Sequence, residues 1–188
     1  PARPAARMNT RLPDPAQAAV LDAAALQPWV RSRWQERILP ALHRYIAVPA
    51  KSPAFDPDWA AHGHLDTVLR EAADWVAAQR VPGLTLEVVR LTHPDGRPRT
   101  PVLWFEVPAS AGRHGGAAPA SGQTVLMYGH LDKQPEFNGW RNDLGPWTPV
   151  YEDGKLYGRG GADDGYAVYA SIAAVQALKS QNTPHPRI

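Results

Sequence analysis

One histidine and three aspartates stand where a metal site can be built. Thr124-Val-Leu-Met-Tyr-Gly-His130-Leu-Asp132 runs from an apolar stretch into an imidazole and a carboxylate, and Gly158-Arg-Gly-Gly-Ala-Asp163-Asp164-Gly165 places two more carboxylates ahead of a helical pattern. Residues two apart in an extended segment point the same way, so His130 and Asp132 share a face. An imidazole that binds metal needs an acceptor for its other ring nitrogen; Asp132 can be that acceptor, or can bind metal itself. The glycines let the backbone bend tightly and present a carboxylate at a helix start, where it can bridge two cations if the histidine loop lies alongside. The competing reading is structural: His130 ends a strand, Asp132 makes a turn, and an aspartate before a helix is an N-cap. Neither motif decides alone; together they favour metal. A second His-Leu-Asp, at His64, Leu65 and Asp66, falls inside a helical pattern, where positions i and i+2 do not face each other, and reads as solvated helix surface.

The elements that must position these residues follow from periodicity and punctuation. Asp14-Pro15 starts a short Ala-rich helix. Val30, Trp34, Ile38, Leu42, Tyr45 and Ile46 fall at helical spacing, with Pro40 interrupting one backbone hydrogen bond and kinking the helix. Asp56-Pro57 opens a long amphipathic helix through Trp59, Leu65, Val68, Leu69, Ala72 and Val76, which Pro82-Gly83 ends. Residues 84–88 and 102–107 read as neighbouring strands, residues 109–123 as a surface loop, and residues 125–128, apolar on both faces, as a central strand covered on both sides. Residues 151–157 make a hairpin turning at Glu152-Asp153-Gly154, and a helix follows from about residue 164 to 180. Pro184 and Pro186 leave the last residues extended, where another strand would begin.

This order of elements is α/β, with a mostly buried sheet flanked by helices. It puts His130 just past the carboxyl end of a strand, where open α/β sheets bind ligands. Tyr128, Trp140, Trp147 and Tyr157 crowd the motifs and are expected to pack the loop rather than line a pocket. Lys133, Arg141 and Arg159 are candidates for contacting an anionic substrate, although lone surface cations are commonly just solvated.

Composition narrows the function. The 188 residues are 44% hydrophobic, enough for one domain core. Twenty Lys and Arg face eighteen Asp and Glu, and the cations are scattered, so no stripe suits a phosphate backbone and no nucleic-acid partner is expected. With no cysteine, any metal must be held by His, Asp and Glu, and a reducing compartment fits. The Ala-rich run at residues 16–26 is too short to span a bilayer and lacks signal-peptide features, so no membrane association and a cytoplasmic location are expected. Residues 1–14 read as a disordered leader.

The motifs resemble a known family. His130-Leu-Asp132, followed by Gly-Pro-Trp-Thr-Pro-Val and Glu152-Asp-Gly-Lys-Leu-Tyr-Gly-Arg-Gly-Gly-Ala-Asp163-Asp164, is similar to the di-zinc metallopeptidases that include aminoacylase, carnosine dipeptidase, succinyl-diaminopimelate desuccinylase and glutamate carboxypeptidase. Arg37-Ile-Leu-Pro-Ala-Leu and Ser52-Pro53 resemble that family's opening helix, so the likeness extends from about residue 34 to 180. It implies that residues 15–188 are the N-terminal half of a three-layer zinc-peptidase catalytic domain. Two Zn2+ ions are implied for the complete protein, with Co2+ or Mn2+ as substitutes. His130 would ligate one metal, Asp163 would bridge both, and Asp132 would be the catalytic residue orienting the His130 imidazole. Gly165-Tyr166 stands where many members carry Lys-Gly, which leaves those ligands intact. The family's Glu-Glu pair, its further acidic ligand, its distant histidine, and the lid and dimerisation domain that would carry a homodimer have no counterpart in these residues; there is no Glu-Glu here.

Two readings result. The first is an incomplete fragment of a metal-dependent hydrolase, a dipeptidase, carboxypeptidase or N-acyl amino acid amidohydrolase acting on small peptide or amide bonds, and inactive in isolation. The second is a noncatalytic interaction module or pseudogene product that keeps vestigial metal-site residues.

Overall fold

The structure, a computed structural model, describes residues 21–111 and 122–188. The leader, the Asp14-Pro15 helix start and most of the 109–123 loop lie outside these residues. Helix α1 (Ala23–Arg33) is capped by Asp22, whose carboxylate accepts from the Ala25 N–H at 3.0 Å. It runs through a wide π-type turn (Trp34–Ile38) into α2 (Leu39–Ala47). The widening sits directly ahead of Pro40, whose ring has no N–H and would clash with a carbonyl one turn back in a regular helix.

The long helix expected after Asp56 is broken in two, α3 (Trp59–His62) and α4 (His64–Ala78). Gly63 stands between them at φ 69°, a left-handed conformation that ends one helix and lets the next begin. His64 and Asp66 lie on α4 as expected, and Asp66 pairs with Arg90 at 2.6 Å.

Strands β1 (Thr85–Val89) and β2 (Val102–Glu106) pair antiparallel, from Thr85 opposite Glu106 to Val89 opposite Val102. The ladder continues past β2: Val107 and Ile188 exchange backbone bonds of 2.8 and 3.0 Å, and Ser110 and His185 exchange bonds of 2.8 and 2.9 Å. On its other side the terminal segment meets Thr124 through a parallel bridge to Arg187. Strands β3 (Val150–Glu152) and β4 (Lys155–Tyr157) form the expected hairpin, its turn at Asp153 (φ 50°) and Gly154 (φ 77°). A second wide turn (Gly161–Gly165) leads into α5 (Tyr166–Ser180).

Two clusters bury the apolar faces. Ile38, Leu42, Tyr45 and Ile46 of the first helical run pack on Leu65 and Val68 of α4 and on Tyr169 of α5. Val76, Val107, Ile172 and Val175 form the second, with Leu86, Phe105 and Ile188 against it. Thus α4 and α5 cover one face of the strands. The opposite face is bare: Val102 and Trp104 are exposed. Residues 125–128 also depart from expectation, since they run outside any named strand, with Leu126 78% and Tyr128 81% exposed. Beyond the Val125 N–H, which donates to Arg187 at 2.8 Å, no neighbouring strand is present among the described residues to pair with them.

Candidate metal centre

Helix α2 organises both motif-bearing loops. The Tyr45 hydroxyl donates to the Leu131 carbonyl at 3.0 Å, inside His-Leu-Asp, and its ring lies where a Cβ on Gly165 would stand, so the loop before α5 can approach only because residue 165 is glycine. Burial, reinforced by Asp132, raises the Tyr45 phenol well above its ordinary range, which keeps it a neutral donor.

Lys133 completes the scaffold. It is 1% exposed, and its ammonium donates to the carbonyls of Tyr45 (2.5 Å), Val48 (2.6 Å) and Ile46 (3.3 Å) at the end of α2. These are carbonyls that a helix end leaves without intrahelical partners. Its backbone is held too, donating to Ala50 and accepting from Ser52, both at 2.9 Å. Its stem occupies the space beside Gly160, where a Cβ would come within 2.7 Å, so Lys133 ties the histidine loop to the glycine-rich loop. Burial pushes the ammonium down to about 7, against the pull of Glu71; the carbonyl dipoles also favour the charged form. The expectation of a substrate-contacting Lys133 is therefore corrected. Lys133→Met keeps the length but strands these carbonyls, and is expected to cost about 3 kcal/mol of unfolding free energy in a urea titration.

The other two cations are also committed. Arg141 pairs with Asp143 (2.6 Å) and Glu152 (2.7 Å), while Arg159 donates to the Pro135 carbonyl at 3.0 Å and stacks on Phe137. Of the four aromatics, Trp147 lies under the Lys133 ammonium and Trp140 donates to the Glu136 carbonyl at 2.8 Å, as packing requires, whereas Tyr128 is exposed.

On this scaffold His130, Asp132 and Asp163 come together. His130 Nε2 lies 3.3 Å from Asp163 Oδ1. His130 Nδ1 lies 2.9 Å from the Asp132 carbonyl oxygen and 3.4 Å from its carboxylate. Asp132 thus anchors the ring chiefly through its backbone, which no side-chain pattern could reveal. With Nδ1–H donating there, the Nε2 lone pair faces Asp163. Two ligands about 2.0–2.1 Å from one tetrahedral ion stand about 3.3 Å apart, the separation of Nε2 and Oδ1. Both side chains reach solvent, at 30% and 60% exposure. Among the described residues no third acidic or imidazole group joins them in a cluster able to hold a metal ion.

Asp164 overturns its sequence reading. No side chain caps α5. The Asp164 carboxylate instead accepts from the His130 N–H at 3.3 Å, across a cis peptide from Asp163. One aspartate of the pair faces the imidazole and the other holds the backbone beneath it.

A profile of the family described as Peptidase family M20/M25/M40 matches residues 126–188, the stretch holding all four of these residues. Over that stretch the chain is similar to that family. It is 31% identical over 150 residues to a Beta-Ala-His dipeptidase of Homo sapiens, covering 78% of this chain and 27% of that protein. A Succinyl-diaminopimelate desuccinylase of Acidovorax ebreus (strain TPSY) is 32% identical over 111 residues, 59% of this chain and 27% of that one. The fold matches the crystal structure of human carnosine dipeptidase 1 with a TM-score of 0.58 at 27% identity, over 81% of this chain and 30% of that chain. The chain thus spans under a third of the relatives it matches, and within that span it shares the α/β fold of M20 peptidases. No helix among the described residues is long and apolar enough to cross a membrane.

Proposed function

We propose that this chain is the N-terminal half of the catalytic domain of a metal-dependent hydrolase of small peptide or N-acyl amino acid bonds, with residues 1–14 a leader and the protein cytoplasmic. The observation that carries the reading is His130 Nε2 at 3.3 Å from Asp163 Oδ1, with the far ring nitrogen anchored on Asp132. One nitrogen and one carboxylate suit a borderline ion, so Zn2+ is favoured and Co2+ or Mn2+ remain substitutes. A divalent ion bound there supplies Lewis acidity to a scissile carbonyl and acidity to water. The chain's own contribution is positional: His130 and Asp163 offer two donors, Asp132 fixes the ring, and Asp164 holds the His130 backbone. The remaining ligands, the general base and any homodimer contacts are assigned to parts of the complete protein beyond these residues.

Metal analysis of the complete gene product, with hydrolysis of a panel including β-Ala-His, other dipeptides and N-succinyl and N-acetyl amino acids, tests this reading. We expect stoichiometric divalent metal and metal-dependent cleavage of at least one class. A metal-loaded protein that cleaves none of them sinks it and favours the noncatalytic module.

A further inference from the structure

The second His-Leu-Asp contributes to a site of its own, through its histidine and not its aspartate. In a continuous helix residues two apart face different ways. His62 ends α3 and His64 begins α4, and the left-handed Gly63 between them turns the chain so that the two rings meet, 5.8 Å between centroids with their planes 33° apart. A Cβ on Gly63 would touch nothing, so its positive φ, and not a lack of room, is what favours glycine there. The corner is fixed by its backbone. The Gly63 N–H donates to the Trp59 carbonyl at 3.1 Å, and the Gly63 carbonyl accepts from the Thr67 N–H at 3.0 Å and the Thr67 hydroxyl at 3.1 Å.

Asp56 sets the tautomer of the first ring. It is buried, its carboxylate lies 2.8 Å from His62 Nδ1, and that bond, helped by the Asp58 N–H, holds the carboxyl below the usual range. An ionised carboxylate only accepts, so Nδ1 carries the proton and the Nε2 lone pair is left free on a ring that is half exposed. A metal-binding histidine commonly has such a carboxylate behind it. His64 makes no hydrogen bond or ion pair among the described residues, so nothing there fixes its tautomer and either nitrogen can turn to an ion. An imidazole nitrogen about 2.0 Å from an ion puts its ring centroid about 3.2 Å away, so two such rings have centroids about 4.5 Å apart when cis and about 6.4 Å when trans. The observed 5.8 Å falls between these limits. We propose that the α3–α4 corner binds a divalent transition-metal ion of tetragonal preference, Cu2+ above all, through His62 Nε2 and His64, with Asp56 orienting the His62 ring. Among the described residues no third imidazole or carboxylate joins the two in a cluster able to hold a metal ion, so water takes the remaining positions. Affinity for nitrogen donors peaks at Cu2+, whose tetragonal geometry accepts such a set, whereas Zn2+ wants four tetrahedral ligands and gains little from two uncharged ones. The site shares no residue with the His130–Asp163 pair, and the inference is independent of what that pair holds.

Titration of the chain with Cu2+, followed by amide NMR, tests the proposal, because the paramagnetic ion broadens the signals nearest to it. Signals of His62, Gly63, His64 and Leu65 are expected to vanish first, and His130→Ala to leave that order unchanged. His64→Ala, which breaks no hydrogen bond, is expected to weaken Cu2+ binding at the corner about tenfold or more. Asp56→Asn keeps the shape of the side chain and should weaken it about 10–100-fold, the usual effect of changing the partner behind a ligating histidine. Amide spectra of the ion-free variants, unchanged away from the corner, check that they fold; if Asp56→Asn does not, the His64→Ala comparison decides alone. Broadening that begins elsewhere in the chain overturns the proposal, as does binding at the corner that His64→Ala leaves undiminished. Undiminished affinity in a folded Asp56→Asn overturns it too, since the two histidines would then bind no better than they would in an unordered His-Gly-His segment.

Discussion

Asp163→Ala in the complete protein is expected to remove bound metal and turnover together, with a rate loss of about 10³-fold or more, since a metal supplies several kcal/mol of transition-state stabilisation. The carboxylate is 60% exposed and turned towards His130 Nε2, so its loss leaves little packing to repair. Asp164→Ala should behave differently. Its carboxylate accepts from the His130 N–H at 3.3 Å and caps no helix, so the change lets the histidine loop shift while retaining both the imidazole and the Asp163 carboxylate as donors. Outer-shell partners of metal ligands typically contribute about 10–100-fold in affinity, and a loss in that range is expected here. Metal content by elemental analysis, metal affinity by titration and unfolding midpoints in both variants separate the cases. Equal, complete loss of metal from both means that the carboxylates have been assigned wrongly or that both bind.

That contrast shows which features a sequence can carry. The His130–Asp163 convergence was legible because it needs only an extended segment ending in histidine, a glycine-rich bend and a following helix, all written in local residue types. The β3–β4 hairpin was legible for the same reason, Asp153-Gly154 being suited to positive φ. What failed was tertiary. Nothing next to Lys133 in the chain says that it will reach under the end of α2, because its partners are backbone carbonyls more than eighty residues away. The role of Asp164 was hidden likewise: an aspartate before a helix has the same local signature whether it caps that helix or holds another loop. Gly63 is a local signal for the break between α3 and α4, since glycine is suited to the positive φ that ends one helix there. Residues 125–128 are apolar on both faces, which predicts a covered central strand, but among the described residues nothing covers Leu126 or Tyr128, so local composition states a demand that these neighbours do not meet.

The 188-residue chain alone should hydrolyse neither dipeptides nor N-acyl amino acids and should bind zinc weakly. Structural zinc takes four ligands and catalytic zinc three plus water, whereas His130 and Asp163 provide two. Glu136, the nearest glutamate in sequence, is paired with Lys51 at 2.9 Å, which holds its carboxyl below the usual range and makes it a weaker proton acceptor. Losing a general base costs about 10²–10⁴ in rate, and too few ligands removes the activated nucleophile as well. Isothermal titration is expected to show at most one weak zinc site that weakens as pH falls, because protons compete for the imidazole, and His130→Ala should erase it. Lys133→Met should weaken that site further, through the loop it holds, while leaving both donors intact. Two tightly bound ions per chain, or hydrolysis by the purified chain that His130→Ala abolishes, would mean that ligands within these residues move together on metal binding, and the two-donor description would then be wrong.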